Sequence, residues 1–232
     1  MRGYRYGHPL RLGCEGSHHR SASEIVVIAL PTFSLQLKTF PVVKMLVLAS
    51  ASPRRREILS RFIREFQIIP SSASEECSIA DPREHALELA RRKAREVYER
   101  LGKKATVIGA DTVVSIGGKI LGKPGNEEEA FRMLKTLSGR MHLVTTGYCI
   151  IHRGEEHCGA VVTEVKFREL DEDLIWAYIR TGEPMDKAGA YGIQGKGGLF
   201  VEWIRGDYYN VVGFPIEIIW KLKELGFDVL SR

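Results

Sequence analysis

From residue 45 onward the apolar and polar positions follow two alternating periods, and each change of period marks an element. Leu46-Val-Leu-Ala reads as a short buried strand. It runs into Ser50-Ala-Ser-Pro, where Ser52 is a natural N-cap and Pro53 the first helical residue, and Ile58, Leu59, Phe62, Ile63 and Phe66 follow at helical spacing. Asp81-Pro-Arg-Glu84 is a capping box in all but its first residue type and opens a long helix to Leu101, stopped by Gly102. Thr106 to Ala110 reads as a second buried strand and Val113 to Leu121 as a hairpin turning at Gly117-Gly118, with Asp111 between the two. Asn126, with Glu129 three residues on, caps a helix that turns Ala130, Met133, Leu134 and Leu137 inward and ends at Gly139. The period then becomes two: His142 to Ile151 and Ala160 to Phe167 read as strands around the Arg153-Gly154-Glu155 turn. An Asp171-capped helix through Ile179 and a last helix from about Pro215 to Leu225 complete an α/β chain without internal repeats.

Residues 1 to 24 show neither period and are rich in Gly, His, Ser and Arg, so the pattern divides the chain into an atypical, dispensable N-terminal extension (1–44) and one domain (45–232). A start assigned too early, with Met45 the true first residue, explains the extension equally well. The apolar run Ile25 to Leu30 follows arginines, as in a signal peptide, but Pro31 ends it and no small-residue cleavage site follows. His8, His18, His19 and Cys14 fit no standard zinc-finger spacing.

With 44% hydrophobic and 27% charged residues among 232, disorder of the whole chain is excluded. The uncharged stretch Ile25 to Leu37 is only thirteen residues, so no membrane span is expected. The net charge of +5 suggests nucleic acid until it is located: residues 1–44 carry +4, which leaves 28 basic against 27 acidic residues in the domain. Nucleic acid is therefore not an expected partner. Cys14, Cys77, Cys149 and Cys158 contain no CxxC pair, so neither a disulfide framework nor a cysteine zinc site is expected, and a reducing cytoplasm fits.

Three segments can carry chemistry. In Ser50-Ala-Ser-Pro-Arg-Arg-Arg56 a strand enters a helix N-terminus, where free N–H groups, serine hydroxyls and arginines set against the helix dipole invite an anion; alternatively Ser52 only caps and the arginines are solvated or pair with Glu57. Asp111 in Gly109-Ala-Asp-Thr112 sits where α/β sheets gather ligands, and could accept a proton from water or bind a metal, or simply cap a turn. Lys93 lies at the edge of its helix's apolar face between Leu89 and Val97, able to reach inward or to snorkel. Lys123-Pro124 is equally open. Glu183 to Gly195 is a glycine-rich loop of the kind that binds ligands or packs on Tyr191 and Ile193. Gly192 to Gly197 lacks the spacing and the Ser/Thr of a P-loop.

In this order, Ser50-Ala-Ser-Pro-Arg-Arg, Gly109-Ala-Asp-Thr, Gly122-Lys-Pro, Leu137-Ser-Gly and Glu183-Pro-Met-Asp-Lys-Ala-Gly-Ala-Tyr-Gly-Ile-Gln-Gly resemble the Maf-like nucleoside triphosphate pyrophosphatases, from about Leu46 to the last helix. The resemblance implies an inosine triphosphatase-like fold, a mixed twisted sheet with flanking helices forming two lobes around a cleft. It also implies hydrolysis of a nucleoside triphosphate to monophosphate and pyrophosphate with a divalent metal cation, Mg²⁺ or Mn²⁺, in a homodimer. Asp111 then resembles the general base and a metal-proximal acid, Glu75 the second acid, and Ser50, Arg55, Lys93 and Lys123 the triphosphate-binding set. Either Glu75 or Glu76 faces the metal, because Ala73-Ser-Glu-Glu76 departs from the usual acidic run. Arg54, Thr112 and Gln194 fall on positions associated with the subgroup that prefers dTTP and UTP, as a house-cleaning activity; a methylated-GTP preference is less similar. The family name also carries a second expectation, a nucleotide- or nucleic-acid-binding regulator of cell division and septum formation.

Overall fold

Seven strands form one mixed sheet in the computed structural model, which describes residues 45–230. The expectations placed on residues 1–44, including the extension and the His8, His18, His19 and Cys14 cluster, lie outside the described residues. The strands are β1 (Leu46–Leu48), β2 (Gln67–Ile68), β3 (Thr106–Ile116), β4 (Lys119–Leu121), β5 (Met141–His152), β6 (Glu155–Phe167) and β7 (Val201–Arg205). Their order is β2-β1-β3-β5-β6-β7, with β4 on β3. β1 is parallel to β2 and to β3, and the other pairings are antiparallel. The helices are α1 (Pro53–Ser60), α2 (Pro82–Arg100), α3 (Glu127–Leu137), α4 (Glu172–Ile179), α5 (Tyr208–Val212) and α6 (Ile216–Glu224). The α/β class expected from the sequence is the one observed.

The local signals work as read. Ser52 Oγ accepts from Arg55 N, Asp81 Oδ1 from Arg83 and Glu84 N, Asn126 Oδ1 from Glu129 N and Asp171 Oδ1 from Leu174 N. Three expectations are corrected. α1 ends at Ser60, because the chain must return to lay Gln67 and Ile68 beside β1; Phe62 and Phe66 still pack on the same core. The strand carrying Asp111 does not stop before it. β3 is continuous because β5 pairs with it from Val107 to Ser115. Finally, Cys149 and Cys158 form a disulfide across β5 and β6, which are in register at those residues. These cysteines lie within ligand distance of Glu156, but their sulfurs are bonded to each other and Glu156 pairs with Arg91 and Arg95. Among the described residues no helix is long and apolar enough to cross a membrane.

Apolar side chains collect on both faces of the sheet. α1 and α6 cover Leu46, Leu48, Ile108 and Ile150 on one face, and α2 covers Val47, Val107, Cys149 and Ile151 on the other. At the far end a second lobe packs α3, α4 and the 183–200 segment on Val114, Val144, Val165 and Phe167. How α2 approaches its face depends on two glycines. A Cβ on Gly109 would stand 2.2 Å from Ala90 O, and one on Gly147 2.3 Å from Ala86 O. The helix backbone therefore rests directly on β3 and β5.

Replacing Gly147 by Ala is expected to lift α2 and to cost about 3 kcal/mol in urea unfolding; an unchanged midpoint would show that the helix seats elsewhere. His142, buried in the second lobe against Tyr191 and Phe167, supplies a pH test. Desolvation lowers its pKa from 6.5 to about 4, so the unfolded chain takes up a proton that the folded protein refuses. Stability is unpenalised above pH 6.5 and falls as pH drops toward 4. Between pH 7 and 4 the wild type should lose about 3 kcal/mol more than His142→Gln in parallel denaturation curves.

Candidate active site

β1 ends at Leu48 while its neighbour β3 continues to Ile116, and a cleft of about 640 Å³ opens where the neighbouring strand is missing. The β1–α1 turn brings Ser50 and Ser52 to one wall. Asp111 and Thr112 follow each other on β3 and so point to opposite faces. Asp111 turns toward α2 and Thr112 toward α1.

On the α2 side, Lys93 does reach inward. Its ammonium lies 2.7 Å from Asp111 Oδ1 and 2.7 Å from Glu75 Oε1, with both Lys93 and Asp111 largely enclosed. The hydrogen bond and charge of Lys93 hold the Glu75 carboxyl below the usual carboxylate range. Both glutamates are exposed, but Glu75 lines the cleft and reaches Lys93, whereas the Glu76 carbonyl accepts from Arg92.

On the α1 side, Arg55 is fixed by three acceptors. Its Nε donates to Gly213 O (2.8 Å), Nη1 to Ser50 Oγ (3.3 Å) and Nη2 to Thr112 Oγ1 (3.0 Å). A guanidinium has five N–H groups, so two stay available for a ligand. Burial lowers its pKa, Asp111 opposes this and Arg54 adds to it. None of its three acceptors is a charged group, which leaves the positive charge for something else.

The remaining predicted residues line the same cleft. Lys123 and Gln194 are exposed on its rim, and Arg54 Nη1 stands 3.5 Å from Asp186 Oδ2. Burial pushes the Asp186 carboxyl up, but the hydrogen bond and charge of Lys187, with Arg54 behind them, leave it below its ordinary value. Arg54, Arg55, Lys93, Lys123 and Lys187 thus face Glu75, Asp111 and Asp186, an excess of positive charge that an anion can use.

Sequence reading missed what shapes the 183–200 loop. Glu183 Oε1 accepts from Tyr178 OH (3.0 Å) and Gly197 N (3.2 Å), and Oε2 from Lys196 N (3.0 Å). A Cβ on Gly195 would stand 2.4 Å from Glu183 Oε1, so the glycine makes room for this carboxylate. Glu183 opens the longest motif noticed in the sequence, but nothing in its spacing tells a loop organiser from a ligand group. Thr146 and Asn210, behind Thr112, were also missed. The β3–β5 register sets Thr146 opposite Thr112, and the packing of α5 brings Asn210 to Thr146.

A mixed α/β sheet ending in a basic cleft with two carboxylates on a shared lysine is the architecture of an enzyme that handles phosphate esters or anhydrides. The chain belongs to the Maf-like protein family, whose model matches residues 45–224. It is 80% identical over 186 residues to a dTTP/UTP pyrophosphatase of Thermococcus onnurineus, covering 80% of this chain and 100% of that protein. Proteins with the same name from Pyrococcus horikoshii (55% over 183 residues, 79% of this chain and 97% of that one) and Clostridium perfringens (48% over 189 residues, 79% and 97%) are similar.

Glu183→Gln turns an NH₂ group toward N–H and O–H donors, which can no longer all be satisfied. We expect it to lower stability by about 1–2 kcal/mol. It should also speed hydrogen exchange at the Lys196 and Gly197 amides, and unchanged protection there would remove Glu183 from its organising role.

Proposed function

We propose that this chain is a nucleoside triphosphate pyrophosphatase that hydrolyses dTTP and UTP to the monophosphate and pyrophosphate. The observation that carries the chemistry is the pair of carboxylates, Asp111 and Glu75, drawn together by Lys93 opposite the partly unspent guanidinium of Arg55. The relatives' names supply the substrate.

Arg55, Ser50 and Lys123 hold the phosphates, and Lys93 fixes Asp111 through Oδ1. The other carboxylate oxygen is left to take a proton from a water molecule. That water's oxygen bonds to the α-phosphorus as the bond to the α–β bridging oxygen breaks, and the bridging oxygen leaves with the pyrophosphate. The carboxylates fit a divalent cation: both are hard oxygen ligands, they already converge on a positive charge, and Mg²⁺ needs only one or two protein carboxylates beside substrate phosphates. When bound by Asp111 and Glu75, such a cation supplies charge neutralisation for the phosphates. Arg54, held by Asp186, Thr112 and Gln194 share the cleft and are the residues we assign to base choice.

The test is pyrophosphate release by the full chain, with Mg²⁺, with Mn²⁺ and with neither, from dTTP, UTP, CTP, ATP, GTP and methylated GTP. Asp111→Asn keeps the shape and removes the base, so kcat should fall at least about 100-fold with the far-UV spectrum unchanged. Most activity surviving in the mutant would unseat Asp111. No release from any nucleotide would point instead to a binding protein.

A further inference from the structure

Behind the cleft a chain of buried polar groups runs from α5 to Arg55. Thr146 and Asn210 are both 0% exposed. Thr146 Oγ1 donates to Asn210 O (3.1 Å), Thr112 Oγ1 lies 2.9 Å from Thr146 Oγ1, and Arg55 Nη2 donates to Thr112 Oγ1 (3.0 Å). Asn210 is itself clamped: its Oδ1 accepts from Thr146 N (3.1 Å), and its Nδ2 donates to Val144 O (2.9 Å) and Thr163 Oγ1 (2.8 Å).

The protons in this chain can be placed without choice. One end is a carbonyl, which only accepts, and the other a guanidinium, which only donates. Each hydroxyl between them has one proton. The Thr146 proton goes to Asn210 O, so Thr112 must give its own proton to Thr146, and its oxygen can only accept from Arg55. We propose that Thr146 and Asn210 are positioning residues for the triphosphate site, acting through Thr112 to orient the Arg55 guanidinium. Without the Thr146 hydroxyl, Thr112 is free to turn its proton toward Arg55, where donor would face donor. The positions of Arg55's two unspent N–H groups then blur. Gly213 completes the seat: its carbonyl takes Arg55 Nε, and a Cβ there would stand 3.2 Å from Thr112 Oγ1.

The inference rests on the nucleotide reading above, and its test separates the two. Thr146→Val removes the hydroxyl at nearly constant shape, and Thr146→Ser keeps it. With dTTP, Thr146→Val should raise KM about tenfold with a smaller change in kcat, and Thr146→Ser should restore it. In an Arg55→Ala background the same Thr146→Val change should move KM less than about twofold, because the group it orients is gone. Equal effects in both backgrounds, or a Thr146→Ser variant as impaired as Thr146→Val, would reduce Thr146 to a structural part and overturn the proposal. If Thr146→Val does not fold, Thr146→Cys, whose S–H is a weak donor, carries the same comparison. Binding of inorganic tripolyphosphate by calorimetry covers the remaining case. Weaker binding by Thr146→Val in a protein that hydrolyses no nucleotide would keep the relay and remove the pyrophosphatase, whereas equal binding would remove the relay.

Discussion

Bare backbone contact between α2 and the sheet governs where the chemistry lies. Ala86 rests over Gly147 and Ala90 over Gly109, approaches that any side chain would block. One helical turn past Ala90 is Lys93, and two residues past Gly109 on the same strand face is Asp111. The close seat therefore sets the 2.7 Å contact between them, and through Lys93 it recruits Glu75 from a segment without regular structure. A helix standing off by the ordinary thickness of side chains would leave the lysine in solvent and two carboxylates repelling each other.

The same strand serves both walls of the cleft because successive residues face opposite ways. Asp111 belongs to an ion cluster with α2, and Thr112 to a hydrogen-bond chain that joins Arg55 on α1 to α5 through uncharged groups. This division matters electrostatically. Lys93 spends its charge on carboxylates, whereas Arg55 is held by a carbonyl and two hydroxyls, which orient it without neutralising it. A desolvated cation kept in place by neutral acceptors gains most from an arriving anion, since its own partners do not compete with the ligand for charge. Asp186 plays a different part at the rim, where it pairs with Arg54 and Lys187 and ties the 183–200 loop to α1.

Local signals were legible wherever one residue decides the matter. Caps at Ser52, Asp81, Asn126 and Asp171, and the positive-φ stops at Gly102 and Gly139, act within a few residues of themselves, so their meaning survives without a fold. The hairpin turns at Gly117-Gly118 and Arg153-Gly154 were legible too, but where pairing partners set a strand's extent the sequence was not enough. β6 begins at Glu155, five residues before its apolar stretch, because β5 is there to accept it, and β2 and β7 are too short to show a period. The Cys149–Cys158 bond follows from the register of a hairpin rather than from any spacing of cysteines.

The sequence by itself determined the α/β class, most helix starts and the set of polar residues available for chemistry, because capping, periodicity and residue type are properties of short segments. It could name Lys93, Asp111, Ser50 and Arg55, but not say which would meet. Only the tertiary structure brought Glu75 rather than Glu76 to Lys93, engaged Glu183 within its own loop, and set Thr146 and Asn210 behind Thr112. Those outcomes depend on strand register and on how closely a helix can approach a sheet, and both are fixed by contacts between residues far apart in the chain.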